Sequence, residues 1–296
     1  MNSITDYRAE TTTSKVLQAL FIELIYEAKS HIPAVLTQDD DEELHQYRVA
    51  LRKMHSILNE FRRCMDKDIY TLLKYELKSM ISPTNELRDL DVFLANMDDY
   101  RKMLRPKQQK SLTGLESRLK QERNKDFEEV KQFVKSSEYL GMLSVINDLT
   151  KEDKFYSTCS QNAIDTVLRN LILKRYEAIR SEAKKLNQKS EPDAFHALRL
   201  SVKKQRYLIE TFAHLFHPGP YAKVSKRLKS FQTRLGHLQD IHIQTDRIID
   251  GMEKEKGAEL LLSVLKSERK KCLRKVFNAI GKFCDKRFYA QVDALL

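Results

Sequence analysis

The sequence predicts an all-α protein built from one helical unit written twice, and three observations carry that expectation. The 296 residues hold only seven Gly and six Pro, which leaves few turns and favours long helices with short connections. Apolar residues recur at helical spacing, and no stretch alternates in the manner of a strand. The stretch HQYRVALRKMHSILNEFRR, His45 to Arg63, returns 151 residues later as HALRLSVKKQRYLIETF from His196. At that offset Arg48 meets Arg199, Arg52 meets Lys203, Lys53 meets Lys204 and Phe61 meets Phe212. LRDLDV lands on LQDIHI, so that Asp89 falls on Asp240. A unit repeated within one chain is read first as architecture.

Element by element, residues 1–13 are polar and read as a frayed tail, and Ser14 is the expected N-cap of a first helix closed by Pro33. DDDEE, from Asp39, places acids at the partially positive start of the motif helix, which runs to about Cys64. Helices follow over about Asp68–Ser82, Leu87–Leu104, Lys107–Lys135 and Glu138–Leu149, with Lys151 to Gln161 as the hinge between halves. The second half repeats the plan over about Asp165–Asn187, Ala194–Phe216, Tyr221–Leu235, Asp240–Met252 and Ala258–Lys282. Residues 14–155 and 156–296 thus form two similar bundles related by a pseudo-two-fold.

Within the motif helix, His45, Arg48, Arg52, His55, Asn59 and Arg62 are spaced 3, 4, 3, 4, 3 and share one face. One position before each lies an apolar row: Leu44, Tyr47, Leu51, Met54, Leu58 and Phe61. The copy sets His196, Arg199, Lys203, Arg206 and Glu210 beside Phe195, Leu198, Val202, Gln205, Ile209 and Phe212. Cations that border a core row line a groove or cavity, and the pseudo-symmetry turns the two rows toward a common centre. Lys78, Arg88 and Lys229 can add to such a lining, whereas Lys53 and Lys204 fall toward its far side. Asp89 and Asp240 read as positioning groups for the cations. Arg123 and Arg269 are out of register and carry less weight. A purely structural role, such as ion pairs between bundles, stays open.

The net charge is +11, unevenly placed: 25 Lys+Arg against 27 Asp+Glu in residues 1–155, and 28 against 15 in the rest. That balance implies a polyanionic partner. Metal binding is disfavoured because His45 and His196 sit among like-charged neighbours without other ligands. No phosphate loop, GxSxG or carboxylate pair signals catalysis, so no enzyme activity and no cofactor are expected, and a phosphohydrolase is the least favoured alternative. Aromatic residues are sparse near the rows (Tyr47, Tyr207), which disfavours base stacking and leaves nucleic acid the second choice of partner. The longest apolar run is too short to span a bilayer, and the N-terminus lacks a signal-peptide pattern. Four cysteines without CxxC spacing read as reduced thiols, and the cytoplasm is the expected compartment.

The HxxRVxxRK…RDLDV and HxxRLxxKKxRYxxE…LGHLQD patterns resemble the CHAD family, the conserved histidine α-helical domain, over nearly the whole chain. The resemblance implies two four-helix bundles around a basic central cavity that binds inorganic polyphosphate without catalysis, and residence at polyphosphate granules. It implies as ligands His45, Arg48, Arg52, Arg88, His196, Arg199, Lys203, Arg206 and Lys229. The chain departs from the family pattern in two places. His55 stands where an Arg is usual, which would weaken the first half's grip at neutral pH, and Thr84-Asn85 replaces a Gly matched by Gly236.

Overall fold

A computed structural model describes residues 7–37, 41–151 and 161–296. The helices are α1 (Thr13–Thr37), α2 (Asp41–Glu60), α3 (Lys67–Ile81), α4 (Asn85–Lys102), a single turn α5 (Pro106–Gln109), α6 (Thr113–Lys135) and α7 (Ser137–Leu149). The second half holds α8 (Ile164–Lys185), α9 (Pro192–Thr211), α10 (Pro218–Arg247), α11 (Ala258–Phe283) and α12 (Lys286–Asp293). No strand occurs among the described residues, and Thr12 and Ala163 form one isolated bridge. The 151-residue offset carries the bounds of α2 onto those of α9, and the starts of α1 and α3 onto those of α8 and α10.

The apolar rows do what their spacing requires. All six residues of the first row, from Leu44 to Phe61 at the end of α2, are 2% exposed or less, and Phe195, Leu198, Val202, Gln205, Ile209 and Phe212 along and just past α9 are buried too. Burying each such side chain contributes about 1.5–3 kcal/mol, so α2 and α9 must lie inside their halves. α2 packs on α1 and α3, and α9 packs on α8 and α10. The same two helices also touch each other, and Phe61 meets Phe212 at a centroid distance of 5.8 Å. The halves are joined further by α4 against α10 and by an ion pair from α8 to α2. There Arg175 Nε donates to Glu60 Oε2 at 2.8 Å, and Nη2 donates to both carboxylate oxygens.

The structure corrects several sequence expectations. Pro33 does not close α1, which continues through it to Thr37; it sits in the last turn, where Val35 is buried and Thr37 Oγ1 donates to the Pro33 carbonyl at 2.8 Å. Helix α1 starts at Thr13, one residue before the expected cap. Residues 9–13 are not frayed, since Thr13 N donates to Asn162 O and Ile164 N to Thr11 O, both at 2.9 Å. Residues 1–6, Asp39 and Asp40, and residues 152–160 of the expected hinge lie outside the described residues. The expected helix from Lys107 is broken by a 3-10 turn over Lys110–Leu112, beside which Gly257 (φ 93°) passes. A Cβ on Gly257 would come within 2.5 Å of the Ser111 carbonyl oxygen.

The expected break between Leu235 and Asp240 is also absent, because α10 runs unbroken through Gly236. In the first half Pro83, in a 3-10 turn over Ser82–Thr84, separates α3 from α4. Arg234 replaces that proline at the same register, so α10 keeps its amide donor. Buried Leu235, Leu238 and Ile241 then hold the helix through the glycine.

Glu60 has a side chain only 4% exposed, so its carboxylate depends on Arg175. Arg175→Met should destabilise the chain by about 3–5 kcal/mol, and adding Glu60→Met should restore most of that loss. Chemical denaturation of the single and double variants checks it.

Candidate functional site

Helix α2 carries its cations immediately beside the buried row, and α9 does the same. Because α2 packs on α9, the polar rows are brought together with the apolar ones. The charges that press on Lys203 are those of Arg52, Arg199, Arg48 and Arg206, and Arg199 acts on Arg52 in turn. Arg88, from α4, acts on His45, Arg48, Arg52 and Asp240. His45, Arg48, Arg52, Arg88, Arg199, Lys203 and Arg206 therefore form one cationic seam drawn from both halves.

The two rows are held differently. Arg48 is buried, and its Nη1 donates to Thr84 Oγ1 and, at 3.4 Å, to the Ile81 carbonyl. Its Nη2 donates to Asn85 Oδ1 at 3.0 Å, and Arg52 Nη2 donates to the same oxygen at 3.1 Å. Neutral acceptors at the start of α4 thus fix both arginines. At the matching place on α10 stands Gly236, where an added Cβ would lie 3.7 Å from Arg199 Nε. Arg199 Nε and His196 Nδ1 are buried with no hydrogen-bond partner in the protein. Arg206 Nε lies 3.3 Å from Glu210 Oε2, an ion pair whose geometry does not close a hydrogen bond.

The electrostatics follow from this crowding. Burial, then Arg52, Arg199 and their neighbours, push the Lys203 ammonium down to about 6, so it is largely neutral at pH 7. Its Nζ lies 5.3 Å from the centre of the Tyr207 ring, and Arg206 Cζ lies 5.6 Å from the same ring. Burial and the Arg52 charge bring Arg48 down to about 9. Arg52 is lowered by burial, as is His45, with Arg88 adding to the effect on the histidine. His55 falls to about 4 through burial and the nearby Lys74 and Lys204, so at neutral pH it adds no charge where Arg206 stands in the second half. Asp240 is raised to about 6 because burial outweighs Arg199, and burial also raises Asp89, with Glu86 adding.

The remaining sequence candidates lie further out. Lys78 and Lys204 are exposed at the His55 end of the seam, and both bear on that imidazole. Lys229 is exposed on α10 and Lys53 half-buried on α2, and neither is among the leading charges acting on Lys203, Arg48 or Arg52. Asp89 also faces a groove of about 430 Å³ shared with Glu86, Glu122 and Arg247. Three residues that shape the seam, Thr84, Asn85 and Tyr207, were not candidates. The signal for Asn85 was the register itself, which sets a side chain opposite Gly236.

These features can be compared with known proteins. The sequence model of the CHAD domain matches residues 19–248, well over half of the chain. The chain belongs to the CHAD family. Its fold is similar to that of the CHAD domain from the plant Ricinus communis, with a TM-score of 0.72 at 18% identity, covering 98% of this chain and 94% of that one. It is also similar to PptA from Streptomyces chartreusis, with a TM-score of 0.69 at 15% identity, covering 95% of this chain and all of that one. At such identities these likenesses show the CHAD fold alone. No curated protein sequence matches the chain. Among the described residues, no helix is long and apolar enough to cross a membrane.

A pH dependence follows from Lys203. The unfolded side chain, at 10.5, binds a proton that the folded one has released. Between about 6 and 10.5, the Lys203 contribution therefore makes the folded chain more stable as pH rises. Thermal melts of the ligand-free protein from pH 6.5 to 9 should show a rising Lys203-dependent component, and Lys203→Met should remove it.

Proposed function

We propose that this chain binds inorganic polyphosphate in the seam between α2 and α9, without catalysing its turnover. The observation that carries the reading is a group of cations from both helices in which Arg199 Nε and His196 Nδ1 are buried without a hydrogen-bond partner, and among the described residues the acidic side chain paired with the group is Glu210, on Arg206. An anion with closely spaced charges relieves the cations' repulsion and supplies acceptors to a row that lacks them. Arg forks and Lys point charges suit phosphate oxygens, at roughly 1.5–3 kcal/mol for each charge-assisted contact. Longer chains reach more cations, so affinity rises with length and falls steeply with salt. Family membership supports the reading. The cytoplasm, and polyphosphate granules within it, are the proposed place of action.

Binding should return a proton to Lys203. Calorimetry at pH 7.5 in two buffers of different ionisation enthalpy should show net proton uptake, which Lys203→Met abolishes. Arg199→Gln should weaken polyphosphate binding roughly tenfold or more while leaving helical content intact. Unchanged affinity in that variant, or RNA displacing polyphosphate at the lower phosphate concentration, would reject the proposal. Phosphate release from polyphosphate with Mg²⁺ that His196→Ala abolishes would reject its non-catalytic part.

A further inference from the structure

The seam does not use up the charge of the second half, where much of the excess of Lys and Arg lies elsewhere. A second face of α10 gathers part of it. Lys223, Lys226, Arg227, Ser230 and Arg234 recur at helical spacing and, with Lys282 at the end of α11, line a cavity of about 310 Å³. Five of these six side chains are cationic, and no acidic side chain lines the cavity among the described residues. Its floor is apolar, since Phe231 and Ala279 there are buried. This face is turned away from Gly236, the point at which α10 meets Arg199, so the cavity is separate from the seam.

The arginines are held in place. Arg227 Nη1 donates to the Lys282 carbonyl at 2.8 Å, one of the last carbonyls of α11, and its guanidinium lies 4.7 Å from the centre of the Phe288 ring. Arg234 Nη1 donates to Ser230 Oγ at 2.7 Å. A carbonyl and a hydroxyl orient these forks without neutralising them, so each keeps its charge and its other N–H groups. Lys223, Lys226 and Lys282 are exposed at the rim. Two oriented forks behind three exposed ammonium groups are suited to a small anion that carries several charges. A lone carboxylate or phosphate would leave most of them unmet.

We infer that this cavity is a second anion site, which takes a compact di- or triphosphate group. The volume is at the lower end for small-ligand sites and is enough for a triphosphate. No exposed aromatic ring lines it, so recognition rests on phosphate charge rather than on a base. The phosphates can come from an inorganic anion or from the tail of a nucleotide.

Hydrogen exchange of the full chain, with inorganic tripolyphosphate and with ATP as separate probes, tests the inference. Tripolyphosphate should slow exchange in residues 223–234 and 279–291. The exposed-lysine variant Lys223→Gln/Lys226→Gln/Lys282→Gln should lose that protection and weaken this binding step tenfold or more. Protection by both probes assigns the phosphate tail as the recognised group, and protection by tripolyphosphate alone assigns an inorganic anion. No protection there with either probe, or protection unchanged in the triple variant, overturns the inference. Protection in residues 45–52 and 196–206 reports the seam separately, so the two sites can fail independently.

Discussion

The contact between α2 and α9 is the constraint on which the rest of the molecule depends. Each helix must bury its apolar row, and the cationic row lies one residue along, about 100° further round. Packing the two helices on each other therefore forces like charges together. At pH 7 a lysine that ordinarily titrates at 10.5 gives up its proton at a free-energy cost on the order of 5 kcal/mol. Two or three fully buried apolar side chains offset that cost, and the row from Leu44 to Phe61 buries six. The core wins, and the seam carries the strain.

Ion pairing shows the same division of labour. Arg175 meets Glu60 between α8 and α2, and Arg247 of α10 meets Glu86 and Glu122 of the first half. Arg118 of α6 binds Glu255, which follows α10. These pairs join the halves around the seam, and none involves its crowded cations. Among the described residues, Arg48, Arg52, Arg199 and Lys203 take no part in these pairs. The salt bridges exist, but other residues make them.

The helical class, the 151-residue repeat and the burial of both apolar rows were legible in the sequence because helical period and burial are local properties of the chain. Helix ends were less so. Pro33 and Gly236 are breakers by intrinsic preference, yet tertiary packing carries both through, at Val35 for the proline and at Leu235, Leu238 and Ile241 for the glycine. The cations that meet in the seam could be named in advance, whereas the register marked Asn85 only as a side chain opposite Gly236 and did not pair it with the arginines. Asn85 reaches Arg48 and Arg52 across 37 and 33 residues of chain, and no spacing rule connects them. The lowering of Lys203 was equally hidden, because it arises from burial and then from arginines on two helices far apart in sequence.

Asn85 and Gly236 also explain why the two rows are not equivalent. An amide oxygen shared by two guanidinium groups holds Arg48 and Arg52 in a fixed geometry before any ligand arrives, so little order remains to be imposed there. Across the seam, Arg199 runs along α10 where no side chain stands in its way, and its Nε has no partner. In the proposed function, the first row serves as a rigid template and the second supplies the unmet donors. His55 sharpens the asymmetry, since it is neutral at pH 7 where its counterpart Arg206 is charged. An anion drawn into the seam therefore gains most from α9, and the residue that costs most to keep without a guest, Lys203, is on that same helix.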